Sequence, residues 1–157
     1  MISLFRIDDR LIHAQVVIGW GRVLLPDRIV IADDTIASDV RERELYAHAV
    51  PSEIKVSIFS LSDAVEHINE GVFGGENIFL LVKSPGDALA LVELGLETGE
   101  VNVGCMHYED GKNKLHGKLF VNEDERKALR ELVKREITLE ARALPEDKRV
   151  ILNSLVV

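Results

Sequence analysis

Short apolar runs recur along this chain, separated by longer stretches that mix charged and apolar residues. The runs are Ile2–Arg6, Arg28–Ala32, Lys55–Phe59, Ile78–Val82, Val101–Val103, Lys114–Val121 and Leu139–Ala143. They are rich in Val and Ile and too short for helices, so they predict strands. Several are apolar nearly throughout, as parallel strands covered on both faces are. Helical patterns lie between most of them. Ser84 stands where it can cap a helix opening Pro85-Gly86-Asp87, with proline at the first helical position and an acid three residues after the cap. Ala88, Leu91, Val92 and Gly95 then share one face. Asn122 and Glu125 form a similar start for a helix carrying Ala128, Leu129, Leu132 and Val133, whose charges from Glu123 to Glu136 read as its solvated side. The alternation predicts an α/β fold: an open, mostly parallel, doubly wound sheet of about six to seven strands with helices on both faces.

The 157 residues show no internal repeat, no low-complexity tract and no linker, and Gly74-Gly75 reads as a turn. One domain over residues 1–157 is expected. The chain has 27 acidic residues against 19 Lys and Arg, a formal net charge of −8. That opposes non-specific nucleic-acid binding, which needs a basic surface. The one cysteine, Cys105, excludes an internal disulfide and reads as a packed small residue. Charges arrive by Arg6, before the apolar core of a signal peptide, and no apolar run approaches the ~20 residues that span a bilayer. A cytoplasmic protein is expected, reaching any membrane by docking to another protein.

In open α/β sheets, ligands bind beyond the carboxyl ends of the strands. Asp8, Asp9, Arg10 and His13 follow the first strand, Asp33 and Asp34 the second, Lys83 and Ser84 the fourth, and Gly104, His107 and Tyr108 the fifth. His13 stands out, because it sits between a strand and a helix start with two arginines and two aspartates just before it. A phosphoryl group carries roughly −1.5 to −2 charges and needs cations and NH donors, which such a place supplies. Taken alone, His13 reads as a surface or capping residue more readily than as a catalyst. Asp33 and Asp34 read as caps, and His48, His67 and His116 as structural or exposed. No phosphate-binding GxxxxGK[ST] loop, GxGxxG turn, GxSxG elbow, HExxH or CxxC spacing is present, and no metal site is expected.

RIDDRLIHAQV (Arg6 to Val16), followed by Gly19-Trp20, resembles the N-terminal signature of IIB components of mannose/sorbose-type sugar phosphotransferase systems. KSPGDAL (Lys83 to Leu89), VNVGCMHYEDGK (Val101 to Lys112) and LEARALPED (Leu139 to Asp147) resemble that family's later segments, in the same order. Two positions depart from its pattern. Ala14 stands where the family usually has glycine after the histidine, and Cys105 replaces the second glycine of NVGG.

The resemblance implies that His13 is the phosphorylated histidine, through Nδ1, and that the first and fourth strands lie side by side, bringing Ser84 opposite His13. It implies a relay: a IIA phosphocarrier donates, and the group passes to a sugar held by IIC and IID membrane subunits, or the chain serves a regulatory phosphorelay. Arg10, nearest the loop tip, and Arg6 are expected to neutralise phosphoryl oxygens. NH groups from Ile12, Ala14 and Gln15, with the Ser84 hydroxyl, are further expected phosphate contacts. Asp8 or Asp9 is expected to hold the imidazole tautomer. No metal or organic cofactor is expected, and self-association is left open. A phosphoaspartate receiver using Asp8, Asp9 and a magnesium ion, and a non-catalytic interaction module, are the alternatives. Against the receiver, the third strand ends in SIFSLS, with no aspartate to phosphorylate.

Overall fold

The computed structural model describes every residue, Met1–Val157. Nine strands are present: β1 (Ile2–Asp8), β2 (Arg28–Ala32), β3 (Lys55–Phe59), β4 (Ile78–Val82), β5 (Glu100–Cys105), β6 (Asn113–His116), β7 (Leu119–Val121), β8 (Thr138–Ala141) and β9 (Val150–Ile151). A π-helix (Gln15–Trp20) runs into a single turn, α1 (Gly21–Leu24). The remaining helices are α2 (Asp34–Ala37), α3 (Val40–Ala47), α4 (Leu61–Asn69), α5 (Pro85–Glu93), α6 (Glu123–Lys134) and α7 (Asn153–Val156). None of them is long and apolar enough to cross a membrane.

Seven strands form one sheet in the order β3-β2-β4-β1-β5-β8-β9. All pairs are parallel except β8–β9. The expected doubly wound sheet is therefore present, and β1 lies beside β4 as the resemblance implied, with β5 on its other side. β1 is the first strand, and the chain leaves it for one side and returns to build the other. Its carboxyl end is therefore a switch point, where ligands settle in sheets of this kind.

Alternation along β1 feeds both faces of the sheet. Phe5 and Ile7 join a core of 24 buried residues beneath α4, α5, α6 and α7. Leu4 points the other way, into a second core of ten with Leu11, Ile12, Val16 and Trp20. Arg6 and Asp8 share that second face by the period-two rule.

Two strand expectations change. Lys114–Val121 is not one strand of the sheet but the antiparallel β6–β7 hairpin outside it. Gly117, at φ +53°, makes the reversal, a backbone region open to glycine. The last expected strand ends at Ala141, and the two-residue β9 pairs with it from a stretch whose sequence carries no strand pattern.

Candidate active site

The segment after β1 doubles back at once. The Leu11 NH donates to the Asp8 carbonyl at 3.0 Å, and Leu11 adopts φ +56°. A left-handed leucine is strained, of order 1 kcal/mol or more. It is held by burial, since Leu11 has no exposed surface. The turn returns His13 towards Asp8.

Asp8 organises the site. Its carboxylate is fully buried. Oδ2 accepts from Arg6 Nε at 3.1 Å and Nη2 at 2.9 Å, and lies 2.8 Å from His13 Nε2; Oδ1 accepts from the Arg10 backbone NH at 3.0 Å. Burial pushes the Asp8 carboxyl up, but the His13 hydrogen bond, the Arg6 charge and the Arg10 NH together hold it below the usual carboxylate range. A carboxylate acceptor at Nε2 favours the proton there, leaving the lone pair on Nδ1. Only one donor approaches Nδ1, the Gln15 NH at 3.3 Å.

Arg10 flanks this pair. Its Nη2 donates to Gln15 Oε1 at 2.8 Å, and its Nε, 3.5 Å from Asp8 Oδ1, is buried without a hydrogen-bond partner. Gln15 thus joins the arginine to the imidazole, through its side chain at one end and its NH at the other. The helix that follows is of the wide π type rather than the α-helix start that the sequence suggests. The Val16 and Val17 NH groups both donate to the His13 carbonyl, while those of Ile12, His13 and Ala14 have no acceptor within the chain. Ala14 has φ −56° and ψ −39°, ordinary helical values at which glycine is not required.

Comparison with known proteins decides the family. The profile described as PTS system sorbose subfamily IIB component matches residues 2–157. The chain belongs to this IIB family. It is 35% identical to the fructose-specific EIIB component of Bacillus subtilis (strain 168) over 93% of this chain and 90% of the relative. It is also 35% identical to the sorbose-specific EIIB component of Klebsiella pneumoniae, over 95% and 91%. The crystal structure of the IIBSor domain of the sorbose permease from Klebsiella pneumoniae superposes with a TM-score of 0.91 at 33% identity, covering 99% of this chain and 96% of that one. A phosphotransferase role in sugar uptake systems follows from membership of the IIB family.

Within this IIB fold, Arg6 departs from its expected role. It has no exposed surface, so it does not offer a cation to a phosphoryl group. Besides its bonds to Asp8, its Nη1 donates to Asn102 Oδ1 at 2.7 Å and to the Arg142 carbonyl at 3.0 Å. Burial lowers its pKa and Asp8 opposes the fall. Arg6 is a positioning residue that fixes Asp8.

The row continues sideways across the sheet, because Arg6 is in register with Asn102 and Asn102 with Glu140. Asn102 Nδ2 donates to Glu140 Oε1 at 2.8 Å, and Glu140 pairs with Arg142 at 2.9 Å. Arg142 and Arg6 both lie over the Trp20 ring. Gly104 makes room for this row, as a Cβ there would overlap Arg6 Cζ, Nη2 and Nε. Sequence reasoning missed Asn102, Glu140 and Arg142. The available signal was a polar residue flanked by apolar ones within a strand, Arg6 in β1, Asn102 in β5 and Glu140 in β8, with Arg142 just past the end of β8.

Asp9 does not touch His13 either. Its carboxylate accepts from the His107 NH at 2.7 Å and pairs with His107 Nδ1 at 2.8 Å. With both Asp8 oxygens engaged by Arg6, Arg10 and His13, and Asp9 turned away, the receiver alternative has no open acidic pair to hold an ion.

Ser84 lies two residues beyond Val82, which is in register with Ile7, so it stands level with Asp9 at the same end of the sheet. Its hydroxyl accepts from the Asp87 NH at 3.2 Å, the expected cap, and no hydrogen bond joins it to His13 or Arg10. The largest cavity, about 580 Å³, lies among Met1–Phe5, Ile78 and Thr98, at the opposite ends of the strands.

Proposed function

We propose that His13 of this IIB chain accepts a phosphoryl group from a IIA phosphohistidine and passes it to a sugar at IIC and IID membrane subunits. The observation that carries the reading is the 2.8 Å pairing of His13 Nε2 with buried Asp8, which leaves Nδ1 as the nucleophile. Neutral Nδ1 attacks phosphorus in line; the donor's P–N bond breaks as the new one forms. In the second step that bond breaks, a sugar hydroxyl oxygen bonds to phosphorus, and the hydroxyl proton is released.

The imidazole gains positive charge as it bonds to phosphorus, and the Asp8 carboxylate stabilises that charge without taking the proton. Arg10, whose side chain is 36% exposed where that of Arg6 is buried, meets the equatorial oxygens through its guanidinium. The unpaired NH groups of Ile12, His13 and Ala14 add donors, and the Gln15 NH turns from Nδ1 to the incoming oxygen. Phosphoryl transfer asks for little beyond such positioning and charge stabilisation.

The IIA partnership has support in the mannose-specific EIIAB component of Escherichia coli (strain K12), 31% identical over 99% of this chain, which spans 48% of that protein. The relatives are named for fructose, sorbose, mannose and N-acetylgalactosamine, so the substrate class is a sugar, not one sugar in particular. In this role the chain works in the cytoplasm.

The test is incubation with phosphoenolpyruvate, the general phosphotransferase proteins and a cognate IIA. The expected product is one acid-labile, alkali-stable label, absent from His13→Ala. Full labelling of His13→Ala, or a label released by hydroxylamine as an acyl phosphate is, overturns the reading.

A further inference from the structure

Beside the His13 loop lies a second group of donors that the transfer chemistry does not use. Asp9 follows Asp8 in the turn after β1, and Cys105 and His107 stand at the end of β5. Asp9 and His107 are 98 residues apart in the chain. The fold brings one carboxylate oxygen, the thiol and a ring nitrogen within 4.8 Å of one another.

The spacing among these atoms suits a small tetrahedral ion. Bonds of about 2.3 Å to sulfur and about 2.0–2.1 Å to nitrogen set those two ligands roughly 3.5 Å apart around zinc. Cys105 Sγ lies 3.6 Å from His107 Nδ1 and 3.7 Å from Nε2. Asp9 Oδ1 lies 2.8 Å from Nδ1, joined by a shared proton that an ion would replace. The His107 side chain is 59% exposed, so its ring can turn without disturbing the core. Backbone bonds fix the frame: the Asp9 NH donates to the Cys105 carbonyl at 3.2 Å, and the His107 NH to Asp9 Oδ2 at 2.7 Å.

We infer that Asp9, Cys105 and His107 form a binding site for a borderline divalent cation of the zinc type, with three protein ligands and a fourth position open to water. A mixed carboxylate, thiolate and imidazole set favours zinc over magnesium or calcium, which take oxygen ligands. Cys105 stands where the family's NVGG pattern has glycine, so the site belongs to this chain's own sequence. Its consequence is local. The ion ties the end of β5 to the turn carrying Asp8 and Arg10, and sets positive charge beside them. Binding releases the thiol proton, while the imidazole binds neutral with its ring proton passing from Nδ1 to Nε2, so affinity rises with pH through the thiol.

The experiment is calorimetric titration of the purified chain with Zn²⁺, paired with Co²⁺ absorption spectroscopy, and no phosphoryl donor is present. The expected result is saturable one-to-one binding and a thiolate-to-cobalt charge-transfer band. Cys105→Ser abolishes the band. Cys105→Ser and His107→Gln each weaken Zn²⁺ binding by about tenfold or more, and His116→Gln, outside the cluster, leaves it unchanged. His107→Gln alters an exposed side chain and keeps the test valid if Cys105→Ser loses stability. No saturable binding, no thiolate band, or equal affinity in both ligand variants overturns the inference, and none of these outcomes bears on His13.

Discussion

Asp8 sits buried between Arg6 and His13, and its charge serves both fold and site. Its pKa is depressed in the folded chain, so its stabilising contribution is present above the ordinary carboxylate range near pH 4 and is lost as pH falls through the lower folded value. Asp8→Asn leaves the Arg6 charge buried without its partner, a loss of about 3–5 kcal/mol at neutral pH. The expected outcome in denaturant titrations is a gap between parent and variant that is widest near pH 7 and narrows below pH 4; a gap that widens with acid contradicts this assignment. Arg10 behaves oppositely, because its partly exposed side chain adds little to the fold. Arg10→Ala is expected to slow transfer by about 2.7–4 kcal/mol of barrier, with Arg10→Lys a partial rescue, while the unfolding midpoint holds. Transfer at the parental rate would remove Arg10 from the mechanism. The cluster of Asp8, Arg10 and His13 was legible in RIDDRLIH because the three lie close together in the chain, but the resemblance was needed to single out His13, and Asp8 was not told apart from Asp9. The role of Arg6 was not, since a charge within a strand reads as surface or site until its cross-strand neighbours Asn102 and Glu140 are known.

At the scale of elements, local chemistry explains most boundaries. Ser84 caps α5, and Asn122 and Glu125 form a complete capping box on α6. Ser84→Ala is expected to lower unfolding free energy by about 0.5–2 kcal/mol and to reduce transfer only modestly. Unchanged stability would contradict the cap. Such starts can be read because the signal lies within four residues. The π-helix could not be, as Val16 and Trp20, four residues apart, read as an ordinary α-helical pair, and both are buried in a core that distant strands complete. The β6–β7 hairpin was likewise hidden: Leu115, Leu119 and Val121 look like one strand until Gly117 reverses the chain.

For the whole molecule, apolar runs and helical periods were enough to read a doubly wound sheet, but not its order. Order depends on which faces match after collapse, and only the family resemblance placed β1 beside β4. That order brings the Asp8–His13 turn, Ser84 and the Asp9–His107 link to one end of the sheet, leaving the largest cavity at the other. In the proposed relay, the same end holds the nucleophile that a IIA partner must reach. The proposed relay turns on one nitrogen of this surface. Phosphorylate the nitrogen-labelled chain through a IIA protein in alkaline solution, and read the phosphorus–nitrogen coupling by NMR. The expected product is one phosphoramidate, on Nδ1 of His13, with the proton kept on Nε2 opposite Asp8. A phosphoryl group on Nε2, or on any residue other than His13, would contradict it.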